Sequence, residues 1–147
     1  MIQSVIKTFN ELSTQDIYSM LQLRSEIFVV EQNCTYQDID DKDQSALHLL
    51  LKKNNHLIGY SRIFRPGEYF KQASIGRVLV KKNERKNKYG SLLMELSIKA
   101  IEDTFKEKKI KISAQIYLTG FYKKLGFLPK GEEYLEDGIP HIAMLLN

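Results

Sequence analysis

The side chains best placed to do chemistry together lie between Gly76 and Ser91. The apolar run Gly76-Arg77-Val78-Leu79-Val80 leads into a basic turn. Arg85-Lys86-Asn87-Lys88-Tyr89-Gly90-Ser91 then opens a stretch with helical periodicity. Residues Lys81 to Lys88 contain five Lys/Arg and one Glu. A strand that delivers the chain to a helix start exposes backbone N–H groups at the positive end of the helix dipole, and such an end binds phosphate. Gly90 permits close backbone approach, and Arg85, Lys86 and Lys88 add positive charge. Charge alone favours a plainer account, in which a solvated basic loop caps an ordinary helix. Neither G-x4-G-K-[ST] nor G-x-G-x-x-G is present, so this is neither of those nucleotide loops.

Other reactive side chains are scattered. Glu31 stands at the end of a helical stretch beside an acidic segment, where an exposed Glu is ordinarily solvated. Arg77 interrupts an apolar strand and needs water or a carboxylate, with Asp38 or Asp40 as partner. Tyr122 can be a half-buried aromatic with a wet hydroxyl. His48 and His141 lie in strand-like runs, where a lone His is usually a structural hydrogen-bonder. The three His (His48, His56, His141) show no ligand spacing, so no metal site is expected. Cys34 is the only cysteine, which excludes an intramolecular disulfide and CxxC chemistry. No base stands near it in the sequence, and it reads as an inert thiol.

The elements that must carry these groups follow from periodicity. Residues 2–9 read as a strand, and Ser13 with Asp16 as a capping box opening a helix. Ile17, Leu21, Arg24 and Phe28, flanked by Met20 and Ile27, carry that helix to about Glu31. Residues 33–45 are a polar, acidic loop. Apolar runs 46–52 and 56–65, separated by Lys53-Asn54-Asn55, predict a hairpin. Residues 74–80 are strand-like. Leu92, Leu96 and Ala100, with Leu93, Ile101 and Phe105 alongside, form one helical stripe. Residues 110–116 read as a strand and Phe121 to Leu125 as a short helix capped by Gly126. Strands over 131–138 and 141–146 close the chain around Asp137-Gly138-Ile139-Pro140. Interleaved strands and helices predict an α/β or α+β domain on one mixed sheet.

Composition bounds the function. The chain has 147 residues, enough for a single domain over 1–147 with a real core. It is 43% hydrophobic and 27% charged, so neither a disordered chain nor a membrane protein is the first reading. No apolar run approaches the roughly 18 residues of a membrane span, and the N-terminus lacks signal-peptide features. A cytoplasmic protein is the default expectation. Lys and Arg number 22 against 18 Asp and Glu, a net charge of +4 that is too weak to argue for nucleic acid.

The spacing of Val80, Arg85, Lys88 and Gly90 resembles the V-x4-[QR]-x2-G-x-[GA] acyl-coenzyme A loop of the GNAT superfamily of N-acyltransferases, with Lys88 in place of the first glycine. Phe121-Tyr122-Lys123-Lys124-Leu125-Gly126-Phe127 resembles the F/L-Y-x-x-x-G-F signature of the same superfamily. Phe28 to Cys34, Tyr36 to Asp40, Ile75 to Val78 and Glu136 to His141 are similar to the ElaA-like group within it. Tyr117 departs from that group, where a histidine is expected. The resemblance implies one GNAT-like domain, with a mixed, mostly antiparallel sheet of six to seven strands and helices on both faces. It implies acetyl-CoA as cosubstrate, no metal, and transfer of an acetyl group to a primary amine on a small molecule or peptide.

The resemblance also distributes roles. Val78, Leu79, Val80, Arg85, Lys86, Asn87, Lys88, Tyr89, Gly90 and Ser91 would bind the coenzyme. Tyr122 would protonate the departing thiolate. Glu31 would hold or deprotonate the amine, with Arg24, Phe28, Asp38 and His141 beside it on the acceptor side. Apart from the resemblance, the charges of Asp38, Asp40, Asp41 and Asp43 together with Glu31 would place negative potential beside a pocket and favour cationic amines over acidic ones, the plainer account being a solvated loop with no bias. Two rivals stay open: a catalytically silent acyl-CoA sensor of the same fold, and a nucleic-acid-binding domain using Lys81 to Lys88 and Lys106 to Lys111. Neither nucleic acid nor a membrane is the expected partner, and the oligomeric state, homodimer included, is left open.

Overall fold

The computed structural model describes residues 1–147. Strand β1 (Ile2–Thr8) leads to helix α1 (Thr14–Arg24). The capping box forms as expected: Ser13 Oγ accepts from the Asp16 N–H at 3.0 Å, and the Asp16 carboxylate accepts from the Ser13 N–H at 3.2 Å. The helix does continue to Glu31, but from Ser25 onward its winding is π rather than α. Ile27, Val29 and Val30 are β-branched and Phe28 is bulky, so a regular α turn is crowded there.

Strands β2 (Leu47–Lys53) and β3 (His56–Phe64) form the expected hairpin. Its turn residues Asn54 and Asn55 have φ of 51° and 67°, the left-handed pair that a two-residue hairpin requires. Strand β4 (Ala73–Val80), helix α2 (Tyr89–Phe105), strand β5 (Ile110–Gln115), helix α3 (Thr119–Lys124), and strands β6 (Leu128–Glu136) and β7 (Ile139–Leu146) complete the chain. The closing turn is tighter than predicted. Only Asp137 and Gly138 form it, with φ of 51° and 77°, while Ile139 and Pro140 already belong to β7. Pro140 is tolerated because it sits at the start of its strand.

One seven-stranded sheet has the order β1-β2-β3-β4-β5-β7-β6, antiparallel throughout except for β4 and β5. The period of two in β2 separates two cores. Leu49 and Leu51 join Ile63, Leu93 and Ile101 beneath α2, whereas Leu50 joins Tyr60, Leu79, Met20 and Leu23 beneath α1. Helices therefore cover both faces, as expected. The buried stripe of α2 is Leu93, Met94, Ser97, Ala100 and Ile101, with Leu92 and Leu96 at its half-buried margin. Within α1, Arg24 is fully buried beside Met20 and Leu23.

Two irregularities shape the centre of the sheet. The parallel strands β4 and β5 pair only at Ala73–Ile110 and Ser74–Lys111. Beyond those pairs the strands part. Strand β4 also bulges: Tyr60 faces Leu79 and Arg62 faces Gly76, so Arg77 and Val78 together oppose the single residue Ser61. Arg77 takes up the bulge with φ of 49°. A bulge leaves its extra residue without a ladder partner, here beside the gap between β4 and β5.

Candidate active site

The gap between β4 and β5 opens into a cavity of about 420 Å³. Val78, Leu79 and Val80 line it from β4, and Ile112, Ser113 and Gln115 from β5. Gly90 and Arg85 close one end. Phe28, Glu31 and Gln32 of the π segment and the following residue cover the opposite side, and Tyr122, Glu136 and His141 complete the wall. Ile27, Phe28 and Glu31 of the π turn share one lining surface. Such turns recur at functional sites.

At the α2 end, no side chain caps the helix and its first turn contains no acidic residue. Its first N–H groups, on Tyr89, Gly90 and Ser91, have no acceptor within the helix. An anionic group fits this end, and the sequence departure at Lys88 does not close it off. Lys88 adopts φ 59°, ψ 26°, the left-handed conformation that explains why glycine suits this position. Residues Lys82–Asn87 form a 3-10 turn ahead of it. Of the expected coenzyme-binding residues, Val78, Leu79, Val80, Arg85 and Gly90 line the cavity, whereas Lys86, Asn87, Lys88, Tyr89 and Ser91 lie outside its lining.

Arg85 makes contacts the sequence did not suggest. Its Nε donates to the Val80 carbonyl at 3.0 Å, and its terminal nitrogens hold both Glu31 oxygens at 2.7 and 2.9 Å. The predicted acceptor-side carboxylate and the predicted coenzyme-side guanidinium thus form one fork across the cavity mouth.

Tyr122 is 9% exposed and packs edge-on against Phe121 and Phe127. Burial pushes its hydroxyl up to about 12, with the Tyr117 phenol acting in the same direction. The hydroxyl is therefore protonated at neutral pH and available as a donor into the cavity.

Two acceptor-side expectations are corrected. Arg24 and Asp38 do not line the cavity. Arg24 is wholly buried, donating to Asp38 at 2.8 Å and to Asp43 at 2.7 Å. Arg62 donates to Asp40 at 2.8 and 2.9 Å and to Asp43 at 3.0 Å, and Arg77 donates to Asp38 at 2.7 Å. Three guanidiniums thus balance three of the segment's four carboxylates, Asp38, Asp40 and Asp43, leaving Asp41 outside the network. The segment's expected bias towards cationic amines has no support from these three paired residues. The salt bridge expected of Arg77 is present. Beneath this network His48 donates to the Asp43 carbonyl at 2.8 Å and accepts from the Tyr60 hydroxyl. Burial holds His48 below its usual value, hence neutral.

Phe28, Glu31 and His141 do line the cavity. Sequence reading missed Ser113, Gln115 and Glu136 as lining residues. Their signal was available in part: Ser113 and Gln115 alternate with the core residues Ile112 and Ala114, the mark of a strand with one polar face. Cys34 donates to the Asp137 carbonyl at 3.1 Å and so ties the acidic loop to the last hairpin. The two basic clusters of the nucleic-acid reading lie at opposite ends of α2, about 25 Å apart for its 17 residues, and do not form one face. No helix is long and apolar enough to cross a membrane.

The profile of the acetyltransferase (GNAT) domain matches residues 10–147. Protein ElaA of Escherichia coli (strain K12) is 42% identical over 137 residues, covering 92% of this chain and 90% of that protein. The crystal structure of E. coli ElaA matches with a TM-score of 0.93 at 40% identity, over 100% of both chains. The crystal structure of an acyl-CoA N-acyltransferase from Pseudomonas aeruginosa matches with a TM-score of 0.95 at 36% identity, again over 100% of both chains.

Proposed function

The chain belongs to the GNAT acetyltransferase family, and we propose that it transfers an acyl group, acetyl in the simplest case, from coenzyme A to a primary amine. The observation that carries this reading is a single cavity joining three features: an uncapped α2 start, a bulged β4 edge, and the Tyr122 hydroxyl. The coenzyme supplies the activated thioester. Backbone N–H groups of Tyr89, Gly90 and Ser91, with Arg85, would hold its diphosphate. The parted strands β4 and β5 leave room between them for its extended arm. The name of the Pseudomonas aeruginosa relative, an acyl-CoA N-acyltransferase, supports the same class of reaction.

The chain's own groups divide the work. An unpaired β4 backbone N–H at the bulge polarises the thioester carbonyl, in the manner of an oxyanion hole. Tyr122 gives its proton to the sulfur as the C–S bond breaks, and its burial keeps that proton in place until then. Glu31 turns to the ammonium group of the acceptor once Arg85 engages the diphosphate. Direct attack in a ternary complex needs no covalent enzyme intermediate, and Cys34, committed to the Asp137 carbonyl, takes no part.

Calorimetry with coenzyme A, paired with thiol release from acetyl-CoA over an amine panel, tests the reading. Gly90→Asp places bulk and negative charge at the helix start. A Cβ there meets only the Phe121 ring, at 3.6 Å, so the fold should survive. Loss of coenzyme affinity in this variant and amine-dependent thiol release by the parent are expected. Unchanged affinity removes the loop assignment, and binding without thiol release makes the protein a sensor.

A further inference from the structure

The cavity contains a second set of hydrogen-bonded groups, gathered by the pairing of β5, β6 and β7. Gln115 faces His141, and His141 faces Tyr134, across adjacent strands. Ser113 and Glu136 lie two residues along β5 and β6, on the same side of the sheet. That side is opposite the one on which Ile112 and Ala114 enter the α2 core.

Hydrogen-bond directions follow from the chemistry of each group. The Ser113 hydroxyl donates to Glu136 Oε1 at 3.1 Å. Its single proton being spent, Ser113 accepts from the Tyr134 hydroxyl. His141 Nδ1 lies 2.7 Å from the Ile139 carbonyl, which can only accept, so Nδ1 carries the ring proton. In the neutral ring, Nε2 is then a bare lone pair. It faces Glu136 Oε2 at 3.5 Å, two acceptors with no proton between them. The group that fits beside both is a cationic N–H donor.

We propose that His141 Nε2 is the base that takes a proton from the acceptor's ammonium group, with Glu136 holding that ammonium and then the imidazolium. The proposal deepens the acyl-transfer reading of the cavity and rests on it. The ammonium gives one proton to Nε2, and the freed lone pair forms the C–N bond to the thioester carbonyl carbon. As the tetrahedral adduct collapses, the C–S bond breaks and the thiolate takes the Tyr122 proton. The nitrogen sheds its second proton to restore Tyr122. The imidazolium then releases its proton to solvent, leaving amide, free thiol and one H⁺.

The charges around the ring favour a cationic acceptor. From β6, Glu136 and the stacked Tyr134 face the imidazole, and from β5, Gln115 does. Across the cavity stand Glu31, Gln32, Tyr36 and Arg77, with Asp137 at the hairpin turn. Arg77 is neutralised by Asp38, and Glu31, paired with Arg85 in the free protein, turns to the acceptor once Arg85 engages the diphosphate. Glu136 and Asp137 are left without a Lys or Arg partner. A carboxylate-bearing amine would meet these two, whereas a polyamine or a lysine side chain complements them.

The test combines kinetics with nitrogen NMR, using spermidine and a lysine-containing peptide as acceptors. His141→Gln should lower kcat by roughly 10²–10⁴-fold and remove the acidic limb of the pH profile. Glu136→Gln should instead raise the KM for spermidine and leave that for acetyl-CoA unchanged. Spectra of the parent should show the Nδ1–H tautomer, with His141 resonances moving as spermidine is added without coenzyme. An Nε2–H tautomer, or His141→Gln turning over at the parent rate, overturns the assignment. Spermidine-dependent movement of His141 without thiol release upholds the amine site and defeats the acyl-transfer reading alone.

Discussion

At the scale of single residues, Tyr122 and Glu31 carry separable expectations. Tyr122→Phe keeps the ring that packs between Phe121 and Phe127 and removes only the hydroxyl. Its kcat should fall roughly 10²–10⁴-fold with the KM for acetyl-CoA little changed, because the lost interaction grows only as thiolate forms. Steady-state kinetics at saturating amine check this, and a parent-like kcat would assign the proton to another donor. Glu31 is poised differently. Its fork with Arg85 would, on the proposed reading, compete with a diphosphate for the same guanidinium. The pair is partly exposed, and such pairs contribute about 0.2–1 kcal/mol. Glu31→Gln should therefore tighten coenzyme A binding by about 1.4- to 5-fold while slowing turnover with amines. Calorimetry giving weaker binding would show that Glu31 instead supports the coenzyme.

At the scale of elements, the turn from β4 into α2 is defined by its backbone shape. Its sharpest constraint is Lys88, a side-chain-bearing residue in the left-handed region at the start of α2. That conformation costs an L-residue about 1–2 kcal/mol, of which a glycine's extra chain entropy returns about 0.5–1. Lys88→Gly is accordingly expected to stabilise the fold by about 0.5–1 kcal/mol, read as a higher urea midpoint at unchanged m-value. A destabilised variant would mean that the Lys88 side chain makes a contact more valuable than the strain it imposes. The bulge in β4 is a second local departure, and it directs both the Arg77 side chain and an unpaired stretch of backbone. Arg77 turns to Asp38, which draws the acidic loop onto the sheet beside the cavity.

At the scale of the whole molecule, the network of Arg24, Arg62, Arg77, Asp38, Asp40 and Asp43 fastens α1, the loop after it, β3 and β4 into one frame. Burial alone would raise the Asp40 carboxyl. Hydrogen bonds and charge from Arg62, with the charge of Arg77, overrule it and hold the group at about 2. Asp43 is likewise lowered against its burial by Arg24 and Arg62. His48 is lowered by burial. All three bind protons more weakly folded than unfolded, so each favours the native state above its unfolded value, and that contribution is lost on acidification. Stability should decline first below about pH 6.5, as His48 must charge, and more steeply between about pH 4 and 2, where Asp40 must take a proton. Urea midpoints measured across that range check the order. A midpoint flat from pH 7 to 3 would show that the network is not coupled to folding.

The elements were legible in the sequence wherever a local pattern decides them. The Ser13–Asp16 cap, the Asn54-Asn55 hairpin, the periodicity of α2 and the glycine after α3 are all short-range devices, and each lies where its residues predict. So were Gly90, Arg85 and Tyr122, which occupy spaced motifs whose chemistry depends on near neighbours. Partnership across long separations was legible for Arg77 alone, a charge in an apolar strand that needed a carboxylate and meets Asp38. Asp38 and Arg24 look like site residues in one dimension, and only the packing of the loop onto β3 and β4 turns them into a buried, neutralised frame. Glu31 and Arg85 stand 54 residues apart and meet at one mouth. Ser113, Glu136 and His141 acquire their common face from strand register, which depends on the pairing of three strands rather than on any segment alone. Local steric and hydrogen-bonding preferences are written into each segment, whereas charge pairing and proton direction depend on which segments fold against one another.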